Sequence, residues 1–404
     1  MNRFTFAFLG LFLSITAVSA QSTASAIFLL IAPGAAAGGT GEAHVAAAPD
    51  AYASYWNPAA LAFTRKNEVV YQRSAWLPNL ANDINYNFFG LDYHMPGIGT
   101  FGGHLIYLDL GQQDRRGEAD EDLGTFRSYM AAATVGFGTQ MSTKSSIGIN
   151  AKIIHQSLST VLTGAEKGKG VSTDFAFDFA YYRQQFLFRS LDIGLAFTNI
   201  GPKIAFVDED QADPPPTNLK AGIKWRFIES AFNSMSLYYD ANKMLVSSHP
   251  AIDLDNDHVI GNYDKDGNIS PDGGYSKDGR VELAHSDPWY LAIFTSWWDE
   301  WYYGGDVDID SDGVIDSTEI GNESKGSFAN ELETITHNIG FEYWYSTYFA
   351  IRAGFIYDKL GKINNPTFGA GIHYGPYGFD FGYIYGEQGH PLENTMRFSL
   401  NMEF

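Results

Sequence analysis

Met396, Phe398, Leu400, Met402 and Phe404 alternate without a break with Arg397, Ser399, Asn401 and Glu403. A period of two places the two sets on opposite faces of a β-strand, one face apolar and the other polar. The pattern returns at 174–181, where Phe175, Phe177, Phe179 and Tyr181 oppose Asp174, Ala176, Asp178 and Ala180. It returns again at Leu219, Ala221, Ile223 and Trp225, and at Phe379, Phe381 and Tyr383. Beyond the first twenty residues no stretch approaches 18 consecutive apolar residues, which excludes a bundle of membrane helices. Two architectures remain: a soluble sandwich, and a barrel whose outer face meets lipid.

The spacing predicts fourteen strands, an even number: 69–76, 85–94, 99–108, 126–139, 145–157, 174–182, 190–198, 218–226, 234–241, 336–344, 349–357, 365–374, 378–384 and 395–404. Most have the roughly 9–11 residues that a tilted membrane strand requires. Short connections at 95–98, 140–144, 183–189, 227–233, 345–348 and 375–377 alternate with longer ones at 109–125, 158–173, 199–217 and 242–335. That alternation belongs to a membrane barrel with periplasmic turns and external loops, not to a sandwich. The expected fold is therefore an all-β, transmembrane, antiparallel up-and-down β-barrel of about 14 strands.

Composition agrees. A mean hydropathy of -0.17 suits strands in which only alternate residues face lipid, and 15% aromatic residues with 42 glycines suit girdled, twisted strands. Residues 1–20 read as a signal peptide, with Arg3, an apolar run from Phe4 to Val18, and the small residues Val18-Ser19-Ala20. The mature chain is expected to start at Gln21, in the bacterial outer membrane. Zero cysteines exclude thiolate metal sites and a lipid-modified N-terminal cysteine. Residues 21–66 lack period 2 and are rich in Ala, Gly and Pro, as a disordered tail would be. Yet Ile27, Phe28, Leu29, Leu30, Ile31 and Trp56 are costly in water, so a plug inside or under the lumen of a 67–404 barrel is expected.

The formal charge of -21 is concentrated: residues 242–335 hold 20 Asp and Glu against 5 Lys and Arg. A localised acidic segment points to cations or solvation and away from nucleic acid. Within it, Asp308, Asp310, Asp312, Val314, Asp316 and Glu319 occupy positions 1, 3, 5, 7, 9 and 12 of an EF-hand loop, with Gly313 at 6. Calcium needs six to eight hard oxygens, and this register supplies carboxylates, a backbone carbonyl and a closing bidentate acid. A weaker second site starts at Asp253, Asp255 and Asp257, with His258 in the glycine position and Asp264 to close it. An overlapping register, with Asn262, Asp264, Asp266, Gly267 and Asn268, reaches Gly273 without a final carboxylate. Calcium is expected to be structural at these sites.

Between them, Asp287-Pro288 reads as an N-cap followed by Pro at N1. Trp289, Tyr290, Ile293, Phe294, Trp297, Trp298 and Trp301 then share one helical face. Such a face is either buried over the barrel mouth or offered to cargo, other subunits or the membrane interface. Ten histidines are scattered and no Ser, His and acid grouping stands out, so no enzymatic activity is expected.

Several runs together resemble the PorV family (PorV/PorQ) of type IX secretion outer-membrane barrels, relatives of the FadL-like fatty-acid transporters. Near the N-terminus they are Phe28-Leu29-Leu30-Ile31-Ala32-Pro33, Gly38-Gly39, Pro49-Asp50-Ala51 and Trp56-Asn57-Pro58-Ala59. Further on come Trp76-Leu77, Asn82-Asp83, Pro216-Thr217-Asn218-Leu219 and Asp240-Ala241-Asn242-Lys243. The most specific are Glu342-Tyr343-Trp344-Tyr345, Arg352-Ala353-Gly354, and Pro391 through Phe398. Two departures stand out: Gly34 replaces the acidic residue usual after the proline, and the acidic insertion is long. The resemblance implies a non-enzymatic carrier that binds the C-terminal signal domain of secreted cargo. It would pass that cargo from the translocon barrel to a sortase-containing attachment complex. A FadL-like transporter of hydrophobic small molecules is the alternative it implies.

Overall fold

The computed structural model describes residues 24–47, 50–116, 122–159, 170–206, 212–270, 273–298, 305–308, 313–316, 319–320, 327–386 and 392–404. Its alternating segments close into one wall. Nine strands come first: β1 (Glu68–Ala75), β2 (Asn85–Met95), β3 (Gly99–Arg116), β4 (Asp122–Gln140), β5 (Ser145–Ser159), β6 (Gly170–Arg183), β7 (Leu191–Ile200), β8 (Asn218–Glu229) and β9 (Asn233–Met244). An insertion follows with four two-residue strands, β10 (Ser248–His249), β11 (Ile252–Asp253), β12 (His285–Ser286) and β13 (Asp306–Val307). Then come β14 (Ile335–Tyr345), β15 (Phe349–Asp358), β16 (Ile363–Tyr374), β17 (Tyr377–Ile384) and β18 (Thr395–Glu403). Fourteen of these, all but β10–β13, form a closed barrel in which β9 neighbours β14 and β18 returns to β1. The closing register, Glu68↔Glu403 through Ser74↔Arg397, leaves neither terminal strand with a free edge.

Alternation decides which way each side chain points. On β5, Ile149 (52% exposed) and Ile153 (61%) face outward, while Ser146, Asn150, Lys152 and Gln156 are buried toward the lumen. In water that arrangement is inverted; in a bilayer it is the stable one, because the outer side chains meet hydrocarbon and the backbone pairs within the wall. No helix among the described residues is long and apolar enough to cross a membrane; the strands do so.

One rim carries only tight connections, 96–98, 141–144, 184–190, 230–232, 346–348 and 375–376. The opposite rim carries 201–217 and the 245–334 insertion. Strand ends differ most from the sequence reading at this second rim: β3 runs to Arg116, not 108, and β4 begins at Asp122, not 126. Beyond Asp109 the outward residues turn polar (Gln112, Asp114), so hydrophobic alternation fades while pairing continues through Gln112↔Arg127 and Asp114↔Thr125. At 18 and 19 residues these strands exceed a bilayer crossing and stand above it as a paired hairpin.

The segment from Ala24 to Thr64 lies inside the wall. Short helices α1 (Ala35–Gly39) and α2 (Ala53–Trp56) and 3-10 turns at Ile27–Leu30 and Pro58–Phe63 pack on its inner face. The Pro58–Phe63 turn touches β3 to β6 and α1 touches β15 to β18, so the segment spans the lumen. Phe28, Leu29, Tyr55 and Trp56 share one apolar cluster with Val70, Phe88, Ile106 and Ile154 of the wall. Two backbones nearly touch at Gly41 and Gly354: a Cβ on Gly354 would lie 2.1 Å from the Gly41 nitrogen. Only glycine permits that approach.

Candidate functional site

Polar side chains on the inner wall hold the N-terminal segment in place. The Asp240 carboxylate accepts the His44 and Val45 amides at 2.6 and 2.8 Å. Asn57 donates to the Val45 and Tyr181 carbonyls at 3.1 and 3.2 Å and caps the turn behind it by accepting from the Ala59 amide. Asn338 donates to the Gly41 carbonyl at 2.6 Å, Ser399 accepts the Ala35 amide at 2.8 Å, and Arg397 pairs with Glu42. Arg352 bridges Glu342 and Asp380, both at 2.7 Å, and bears on the Trp344 ring. Buried ions of this kind are tolerated where partners satisfy them.

At the far rim the acidic insertion folds as a pair of loops. The Asp253 loop and the Asp308 loop meet at an antiparallel bridge, Val259↔Val314, closed by Ile260 N donating to Gly313 O and Ile315 N donating to His258 O, both 3.0 Å. Each loop has the same internal bond: the first carboxylate accepts the amide of the sixth residue, Asp253 from His258 (2.9 Å) and Asp308 from Gly313 (3.0 Å). Both sixth residues have positive φ, 84° at Gly313 and 66° at His258, so histidine occupies a turn that glycine ordinarily makes. Each loop is also closed alike. Glu319 accepts the amide of the ninth residue of its loop, Asp316, at 3.1 Å; Glu282 accepts that of Gly261, ninth from Asp253, at 2.7 Å.

The carboxylate gathered with Asp253 and Asp255 is thus Glu282, where the sequence reading had Asp264: ligand atoms of the three lie within 4.8 Å of one another. Asp264 makes its own turn with Asp266 and Asn268, accepting their amides at 3.0 and 2.9 Å. Sequence spacing missed Glu282 because residues 262–281 intervene, folded back by Gly274 N to Gly261 O. Asp257 accepts from Val259 N and Asn262 instead. Burial pushes the Glu282 carboxyl up, and Asp255 and Asp253 add to it against two amide bonds. Asp255 Oδ1 is buried without a hydrogen-bond partner, and a hard divalent cation suits such an oxygen set. In the other loop Asp308 and Glu319 are buried, Val314 and Asp316 exposed, and Asp310 and Asp312 lie outside the described residues.

The helix at Asp287-Pro288 also departs from expectation. It is α3 (Trp289–Thr295), Pro288 is its N-cap, and Asp287 instead accepts from the Thr295 hydroxyl at 2.7 Å. Only Ala292 and Ser296 are buried; Tyr290, Leu291, Phe294, Trp297 and Trp298 are exposed, not covered over the mouth, and Trp301 lies outside the described residues.

The description "Type IX secretion system protein PorV" matches residues 16–251. The chain belongs to the PorV family. It is an outer-membrane barrel of the type IX secretion system. No curated protein matches the sequence. Among solved structures, the toluene transporter TbuX of Ralstonia pickettii is 13% identical, with 93% of this chain and 100% of that one covered and a TM-score of 0.49. The toluene transporter TodX of Pseudomonas putida gives 12%, 91%, 96% and 0.49. A TodX monoaromatic hydrocarbon channel, deltaS2 mutant, gives 12%, 92%, 97% and 0.50. That likeness is one of fold, the FadL-like 14-strand barrel. The PorV match ends at 251, where the acidic insertion begins to fold, so the paired loops lie beyond it.

Proposed function

We propose that this PorV-family barrel is a non-enzymatic carrier, which receives the C-terminal signal domain of exported cargo from the translocon barrel and delivers it to the sortase-containing attachment complex. The family match over 16–251 carries the reading. The segment 24–64 acts as a plug, so cargo is held on the loop rim and not threaded through the lumen. The binding face includes the insertion, and two calcium ions stiffen it. One is held by Asp308, Asp310, Asp312, the Val314 carbonyl, Asp316 and Glu319, the other by Asp253, Asp255 and Glu282. Asp264, Asp266 and Asn268 shape the loop between them. Extracellular sites of modest affinity, on the order of 10⁻⁴–10⁻³ M, stay loaded at millimolar calcium.

A pull-down from detergent-solubilised envelope, with and without chelator, tests this. Cargo carrying a C-terminal signal domain is expected on the barrel, and less of it after chelation. No cargo under either condition refutes the carrier role. A transporter of hydrophobic small molecules is the second reading, supported by an apolar cavity of about 390 Å³ at the loop end of the lumen, lined by Phe28, Ile31, Trp76, Leu108, Ile356 and Leu392 among others. Bound lipid without a protein partner would favour it.

A further inference from the structure

We infer that α3 is a membrane-seated element: it lies against the outside of the barrel beside β6 and β7, and acyl chains of the outer leaflet cover its aromatic face and fill the cleft beneath it. At 100° per residue, Tyr290, Leu291 and Phe294 fall within about a third of the helix circumference, and Trp297 and Trp298 follow in the turn beyond its end. All five are exposed, Phe294 at 62% and Trp298 at 47%, while Ala292 and Ser296 on the opposite side are buried. A helix on a water-facing loop shows the reverse pattern.

The position of the helix names the occupant. Trp289 closes an apolar cavity of about 460 Å³ whose other walls include Phe175, Phe177 and Phe179 of β6 with Phe197 and Ile200 of β7. The three β6 phenylalanines are outward-facing and exposed, part of the barrel surface that meets lipid in an outer-membrane protein. The aromatic face of α3 therefore continues an existing lipid interface.

Height along the wall agrees. Phe175 is eight residues from the end of β6 at Arg183 on the turn rim. At ~3.3 Å per residue and ~45° tilt this is roughly 19 Å along the membrane normal, inside a hydrocarbon core of about 30 Å. The wall itself makes room there. Pairing between β6 and β7 ends at Phe177↔Ile200, and beyond it β6 is paired only with β5 among the described residues. The chain leaving β7 is tethered to the base of α3, with Lys203 Nζ donating to the Ser286 carbonyl and hydroxyl at 3.0 and 2.6 Å. An aromatic, wall-anchored helix at that height sits in the outer half of the acyl layer.

The inference rests on outer-membrane location alone and stands apart from the carrier reading. The chain has no cysteine, so single labels are clean. Phe294→Cys and Leu291→Cys, each carrying an environment-sensitive fluorophore, are placed in phosphatidylcholine vesicles with brominated acyl chains, alongside Lys265→Cys in the acidic loop as control. Bromolipid is expected to quench the α3 labels about twofold or more, as for groups seated in the acyl layer, and aqueous iodide to quench only the control. Iodide quenching of the α3 labels equal to the control overturns the inference. So does protection from both quenchers, which would mean a second copy of the chain covers the helix.

Discussion

Replacing Asp240 with alanine tests whether the lumen is held shut by named bonds. The Asp240 side chain is buried, and one oxygen accepts both the His44 and Val45 amides. Alanine leaves the buried Val45 N–H and the part-buried His44 N–H without an acceptor, at up to about 1–3 kcal/mol each, hence roughly 2–6 kcal/mol against the seated segment. Even the lower figure, ~2 kcal/mol, corresponds to about 30-fold more frequent opening, since 1.4 kcal/mol is a factor of ten. Hydrogen exchange of the 42–47 peptide in detergent reads this directly, and single-channel conductance in planar bilayers reads its consequence. The expected result is faster exchange confined to the N-terminal segment, with the strand peptides unchanged and channel openings more frequent. Exchange at 42–47 equal to the parent would refute the reasoning, because it would mean that the Asp240 bonds do not hold the segment.

Two further outcomes follow from the insertion. Glu282→Gln keeps one of the two acceptors that hold the Leu254 and Gly261 amides and removes the closing charge, so calcium titration is expected to give one ion per chain against two in the parent; two ions in both would remove Glu282 from the ligand set. His249 in β10 hydrogen-bonds Ser247, and burial, with His285 nearby, holds its ring down to about 4. An unfolded histidine titrates near 6.5, so between roughly pH 6.5 and 4 the unfolded loop binds more protons, and stability is lost as pH falls through that window. Limited proteolysis of the insertion is expected to speed up from pH 7.5 to 5 in the parent and less in His249→Asn; an equal acid effect in both would exonerate the ring. Glu282, pushed up by burial, acts in the opposite direction, so the comparison between parent and variant isolates the histidine.

How much of this was legible in the sequence depended on which property each residue carries alone. The wall was readable because lipid imposes a rule on every second side chain, so Phe175, Phe177 and Phe179 declare their strand without knowledge of any partner. Where lipid stops, the rule stops: β3 beyond Asp109 is held by pairing with β4 across a register shift, which hydropathy does not encode. The acidic loops show the same limit at finer grain. Asp308 to Glu319 is a local register that counting alone suffices to propose, whereas Glu282 meets Asp253 and Asp255 only through the fold of the chain between them, and Asp264, at the right count, faces its own turn.

The runs that carried the family resemblance acquire a physical meaning in the barrel. Asp240 anchors His44 and Val45, Asn57 ties its turn to Tyr181, Gly354 admits Gly41, and Arg397 meets Glu42. Each of these joins the inner wall or its backbone to the segment 24–64, while other members of the same runs lie elsewhere: Asn82 and Asp83 at the loop rim, Met396 and Phe398 on the outward face. The inner-wall members of the signature specify how the lumen is filled. Those inner-wall contacts say nothing of a partner, so specificity is to be sought at the rim, foremost in the insertion beyond 251, where the paired acidic loops sit outside the family match.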